Sequence, residues 1–132
     1  MLRRVPEPLP EELTILSGTI IAACLSVHRH LGPGLLEAIY QRAVSVELDA
    51  RGISHDVERT WPVRFRGTLV GHHRIDLIVD ERVIVELKAV DRLTPQHIAQ
   101  ALSYLRVANL RLALLISFNV PTLREGIRRV VL

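Results

Sequence analysis

Two apolar runs, residues 73–79 and 83–90, are separated only by Asp80-Glu81-Arg82. Three polar residues between two β-rich segments predict a tight antiparallel hairpin, and the loop length then dictates which side chains share a face. If all three lie in the loop, Val79 pairs with Val83, and stepping outward sets Asp76 opposite Glu86 and Arg74 opposite Lys88, all on one face. The other face is then Ile75, Leu77, Val79, Val83, Val85, Leu87 and Ala89, apolar throughout and suited to a core. A two-residue loop would send Asp76 and Glu86 to opposite faces, so the arrangement is a prediction of register.

The segments around this hairpin predict a mixed α/β protein, a central mixed β-sheet flanked by helices in the order α-α-β-β-β-α-β-β. Residues 1–10, with three prolines and two arginines, form an extended lead-in, and residues 11–132 form a single domain. Leu13, Leu16, Ile20, Cys24 and Val27 recur at helical spacing over residues 11–31, and Gly32-Pro33-Gly34 stops that helix. A second helix spans residues 36–50, with Leu36, Ile39, Ala43, Val46 and Ala50 expected on its buried face. Glu37, Tyr40 and Gln41 are expected on the other side of it. Residues 57–65 are β-rich and end at the Arg66-Gly67 turn. Thr94 as N-cap and Pro95 at the first helical position open a third helix that runs to about Ala108. Residues 112–118 are almost wholly aliphatic and predict a strand buried on both faces, and residues 127–132 a closing edge strand.

Composition narrows the function classes. At 132 residues the chain suits one core, and a net charge of +3 does not by itself identify a nucleic-acid binder. The single Cys24 excludes an internal disulfide framework and a Cys-rich zinc site, and its apolar surroundings predict a buried structural thiol. No run of apolar residues approaches the roughly 18–20 needed to cross a bilayer, and the acidic, proline-spaced start is not a signal peptide, so a cytoplasmic protein is expected. Five aromatic residues are too few for a single-strand stacking platform.

The hairpin carries the chemistry. Directly opposed residues place their Cβ atoms roughly 4.5–5.5 Å apart, close enough for Asp76 and Glu86 to hold one divalent cation. Two carboxylates on an apolar hairpin repel each other and cost desolvation, a penalty that a bound cation removes. Hard oxygen donors favour Mg²⁺ or Mn²⁺. Sixteen of the 17 basic side chains are Arg, and the one Lys, Lys88, falls beside this pair, where a compact ammonium would position a water or neutralise developing charge. The alternative is a solvated face bearing two exposed ion pairs, Asp76–Arg74 and Glu86–Lys88. On the third helix Gln100 and Tyr104 share a face with His97, while Ile98, Leu102 and Leu105 point to the core. That Gln–Tyr pair suits a phosphate or nucleotide, or else is a polar surface stripe. His28, His30, His72 and His73 show no convergent zinc spacing.

Taken together these segments resemble a known family. Gly34-Leu-Leu-Glu37-Ala-Ile-Tyr40 matches the signature of the GxxExxY proteins, a branch of the PD-(D/E)XK nuclease superfamily. The similarity continues through Arg74-Ile-Asp76, Val83-Ile-Val-Glu86-Leu-Lys88, His97-Ile-Ala-Gln100-Ala-Leu-Ser-Tyr104 and Leu114-Leu-Ile-Ser-Phe118. It covers about residues 13–132 and departs from the pattern at Ser117, where Asn is expected.

The resemblance implies a PD-(D/E)XK nuclease-like core and a Mg²⁺- or Mn²⁺-dependent nuclease hydrolysing phosphodiester bonds in nucleic acid, DNA foremost. It implies Glu37, Asp76, Glu86 and Lys88 as catalytic residues, and Asp76, Glu86 and the Leu87 backbone carbonyl as metal ligands, with Glu37 assisting directly or through water. Gln100 and Tyr104 would bind substrate. The alternative function is a non-catalytic nucleic-acid-binding or accessory module that keeps the fold, and a third class is a structural or small-molecule-binding protein with no metal affinity. A homodimer is expected as well, since a minimal nuclease fold offers little contact area alone.

Overall fold

Residues 7–132 are described by the structure, a computed structural model. Helix α1 (Glu11–Leu31) and helix α2 (Glu37–Ala50) precede strands β1 (His55–Phe65), β2 (Thr68–Val79) and β3 (Val83–Lys88). Helix α3 (Pro95–Ala108), strand β4 (Leu112–Ser117), a 3-10 turn (Leu123–Gly126) and strand β5 (Ile127–Val131) complete the chain. The expected element order is met. Of the expected lead-in, residues 7–10 have no regular structure, and Arg111 ties them down by donating to the Glu7 and Pro8 carbonyls. Residues 1–6 lie outside the described residues.

The five strands lie in chain order, antiparallel except for the parallel β3–β4 pair that α3 connects. Strand β4 is buried along its whole length and β5 forms the edge, as their compositions predict. Helices α1 and α2 cover one face, where Leu77, Val79, Val85, Leu87, Leu114 and Phe118 meet Ile20, Cys24, Tyr40 and Val44. Helix α3 covers the other, where Ala101, Tyr104 and Leu105 meet Ile75, Ile78, Ile84, Ala113 and Leu115.

Three expectations are corrected. The buried stripe of α2 is Tyr40, Val44 and Leu48, whereas Leu36 and Val46 are 73% and 68% exposed. Both stripes have helical spacing, and the choice falls to the one with an aromatic anchor: the Tyr40 ring stacks on Phe118 with centroids 4.4 Å apart. Second, α1, 21 residues long and largely apolar, does reach the length and composition of a membrane span. Its Ile20, Ala23 and Cys24 are nevertheless fully buried in the core against the sheet. Burial pushes the Cys24 thiol up to about 12, so it is the inert structural thiol expected.

The third correction concerns the hairpin. Its register is the predicted one: Val79 faces Val83 and Leu77 faces Val85 across a loop whose Asp80 and Glu81 take positive φ. The alternation of faces, however, slips by one residue at Asp76. Ile75 packs on the α3 side with Ile78 and Ile84, while Leu77 and Val79 pack on the α1–α2 side. The cause lies on the neighbouring strand, where Glu58, between the Val57–Leu77 and Arg59–Ile75 pairs, has φ 56° and leaves the ladder. A non-glycine residue in the left-handed region breaks the pleat locally. Arg74 therefore turns away from Lys88 and pairs with Glu58 at 2.6 Å.

Candidate active site

Beyond the Leu77–Val85 pair, β2 and β3 no longer form a backbone ladder, and side chains bridge them instead. Glu86 Oε1 accepts the Asp76 N–H at 3.0 Å, and Asp76 Oδ2 accepts the Leu87 N–H at 2.9 Å. Each carboxylate thus holds its neighbour's strand through one oxygen. The predicted juxtaposition of Asp76 and Glu86 is met by this crossed pair.

Glu86 is only 3% exposed, which overturns the alternative of a solvated face with exposed ion pairs. Burial, reinforced by the adjacent Asp76 carboxylate, pushes its carboxyl up to about 8. Lys88 Nζ lies 4.0 Å from Glu86 Oε2 and 3.5 Å from Gln100 Oε1, its stem largely buried. A cleft of about 570 Å³, lined by Lys88, Gln96, His97, Ala99 and Gln100, opens there.

Two helices bring the remaining residues to this point. Gly32 and Gly34 adopt positive φ between α1 and α2, and the Tyr40 hydroxyl staples that turn. It donates to the Gly32 carbonyl at 2.5 Å and accepts from the Leu35 N–H at 3.1 Å. Glu37, at the start of α2, is exposed yet sits by the strand ends. Partial burial raises its carboxyl above the usual range, Lys88 lowers it and Asp76 raises it again. On α3, Tyr104 is 6% exposed rather than part of a surface stripe. Burial, then Glu86 and Asp76, push its phenol up to about 12, so it faces the carboxylates as a neutral hydroxyl. Gln100, one turn earlier, remains exposed.

Three supporting residues are given no site role by the sequence. His73 meets the Tyr104 ring edge-on at 4.6 Å and bonds Ser103 Oγ at 3.0 Å. Ser117, the departure from the family pattern, is buried, and its hydroxyl bonds both the Val90 N–H and the Val90 carbonyl, clipping the chain as it leaves Lys88. Gly126 passes so close to β4 that an added Cβ would stand 2.2 Å from the Ser117 carbonyl oxygen. His97 is committed to the α3 cap: its Nδ1 accepts the Thr94 N–H at 3.1 Å and its own N–H reaches Thr94 Oγ1.

The donor set suits a hard divalent ion. Among the described residues Asp76 Oδ1 accepts no hydrogen bond and Glu86 Oε2 has only the distant Lys88, so each carboxylate keeps one free oxygen. Among the described residues no group of three or more His, Cys, Asp or Glu side chains is placed to hold a metal ion.

The family model described as the PD-(D/E)XK nuclease superfamily matches residues 14–130, nearly the whole chain. The chain belongs to that superfamily, whose nuclease-like function and nucleic-acid interaction come with the membership. No curated protein and no solved structure matches it.

Proposed function

On the premise of that membership, we propose that the protein is a metal-dependent nuclease of the GxxExxY type, hydrolysing phosphodiester bonds in DNA. The observation that carries this is the buried Glu86, crossed with Asp76 and flanked by the chain's one lysine. Two carboxylates held side by side with one of them buried repel each other and cost desolvation, which a bound cation offsets. Asp76, Glu86 and the Leu87 carbonyl would hold Mg²⁺ or Mn²⁺, which supplies Lewis acidity to the phosphate and acidifies a bound water. Glu37 would assist in holding that ion, directly or through water. Lys88, already oriented by Gln100 and Glu86, positions the attacking water and offsets charge on the phosphate. Gln100 and the protonated Tyr104 hydroxyl bind and orient the strand.

Purified protein should nick and linearise supercoiled plasmid with Mg²⁺ or Mn²⁺ and stop on chelation. Duplex binding without cleavage under any divalent metal would instead identify the accessory module.

We also propose that a second copy covers the exposed stripe of α2. Leu36, Ile39, Val46 and Ala50 are exposed and, with Ala43, which is half-buried against the core, recur at alternating steps of three and four, the spacing of a coiled-coil seam. An antiparallel pairing of two copies of α2 about Ala43 and Val46 sets Arg42 of each protomer beside Glu47 and Asp49 of its partner, a self-complementary arrangement. Light scattering should give a dimer that Val46→Glu dissociates; a wild-type monomer at high micromolar concentration would refute it.

A further inference from the structure

Strand β2 is twelve residues long, yet it pairs with β3 only from Leu77 to Val79. From Thr68 to Ile75 its sole strand partner is β1, so the two form a ribbon projecting from the sheet. The root of the ribbon is anchored: His73 bonds Ser103 on α3, and Arg59 lies 4.3 Å over the Trp61 ring, itself packed on the α3-side core. The tip is stiffened by a two-residue turn, Arg66-Gly67, both at positive φ, of the kind that fits strand twist.

The composition of this ribbon is one-sided. Residues 60–75 contain Arg64, Arg66, His72, His73 and Arg74 and no Asp or Glu, in a chain that has 14 acidic residues. Arg74 is spent on Glu58, but among the described residues Arg64 and Arg66 have no acidic partner. Between and beside them stand Phe65, Leu69 and Val70, 67%, 46% and 60% exposed. A free-standing two-stranded ribbon with unpaired cations and apolar tips is otherwise a liability in water, so its surface calls for a polyanion with apolar features.

We propose that the β1–β2 ribbon is a duplex-DNA clamp that lies in the major groove next to the cleavage site, with Arg64 and Arg66 on phosphates and Leu69, on the face opposite Phe65, against base edges. This rests on the nuclease reading and names its substrate class. The dimensions agree. Ile75 and His73 belong to the anchored root. The five residues from Thr68 to His72 beyond it span about 17 Å, some five base-pair steps, and B-form DNA admits a two-stranded ribbon in its roughly 12 Å major groove. The exposed Leu69 methyl groups match the thymine methyl that this groove presents. A-form RNA closes its major groove to side chains, and a single strand needs stacked aromatics where the ribbon tip offers one phenyl ring.

The test is anisotropy of a 20-base-pair duplex, a single strand and a duplex RNA of the same sequence, in Ca²⁺, with wild type and Arg64→Ala/Arg66→Ala. The double variant should bind duplex DNA at least about tenfold more weakly, with a log K against log salt slope shallower by about 2, since each phosphate contact contributes about 0.9. Its affinity for the single strand should change less than twofold, and an unchanged circular-dichroism melt will show an intact fold. Duplex affinity within twofold of wild type, or an equal loss on all three ligands, overturns the clamp while leaving nuclease activity standing. A wild type that binds none of the three overturns the clamp and the nuclease reading together.

Discussion

Glu86→Ala and Lys88→Ala should each lower metal-dependent plasmid cleavage by about 10²–10³-fold or more, the loss typical when one group stabilising transition-state charge is removed. The two variants should fail for different reasons. Without Glu86 one carboxylate ligand is gone, so calorimetric Mn²⁺ affinity falls along with cleavage. Without Lys88 both carboxylates remain, and Mn²⁺ binds while turnover is lost. Lys88→Arg should not rescue, because the ammonium occupies a largely buried slot between Glu86 and Gln100, and a planar guanidinium is larger and directs its donors differently. Cleavage at wild-type rates by either alanine variant would remove Asp76, Glu86 and Lys88 from the chemistry.

The parts of this site that were legible in the sequence are those fixed by local rules. Loop length and strand parity set Asp76 against Glu86, and Thr94-Pro95 began α3 where the cap chemistry places it. What was hidden depends on tertiary competition. Helix α2 bears two apolar stripes, and nothing in its own spacing says that Tyr40, Val44 and Leu48 win; the Phe118 ring, 78 positions on from Tyr40, decides it. The slip at Asp76 was hidden too, because Glu58 carries no sign that it will leave the pleat. That slip places Asp76 at a break between two buried faces, where both helical layers approach it: Glu37 from one and Tyr104 from the other.

Metal-free protein should become less stable as pH rises from about 5.5 to 8.5, the reverse of acid-labile behaviour. The Glu86 carboxyl, at about 4.5 in the unfolded chain and about 8 in the folded one, takes up a proton on folding throughout this window. Below the lower value both states are protonated and nothing is gained or lost. Between the two the unfolded chain has released a proton that the native state keeps, so stability falls by up to about 1.4 kcal/mol per pH unit. Glu37 is displaced in the same direction, while Glu58, held low by Arg74, loses its contribution only at more acid pH. Thermal melts should therefore show a midpoint falling with pH. Glu86→Gln, which can still accept the Asp76 N–H, should flatten that slope and be more stable than wild type at pH 8, by a few kcal/mol. Saturating Mn²⁺ should raise the wild-type midpoint most at the alkaline end, where it no longer competes with a proton, and should leave Glu86→Gln nearly unmoved. A midpoint that climbs from pH 5.5 to 8.5 in the absence of metal would mean that Glu86 is ionised in its buried position, with Lys88 alone sufficient to compensate it.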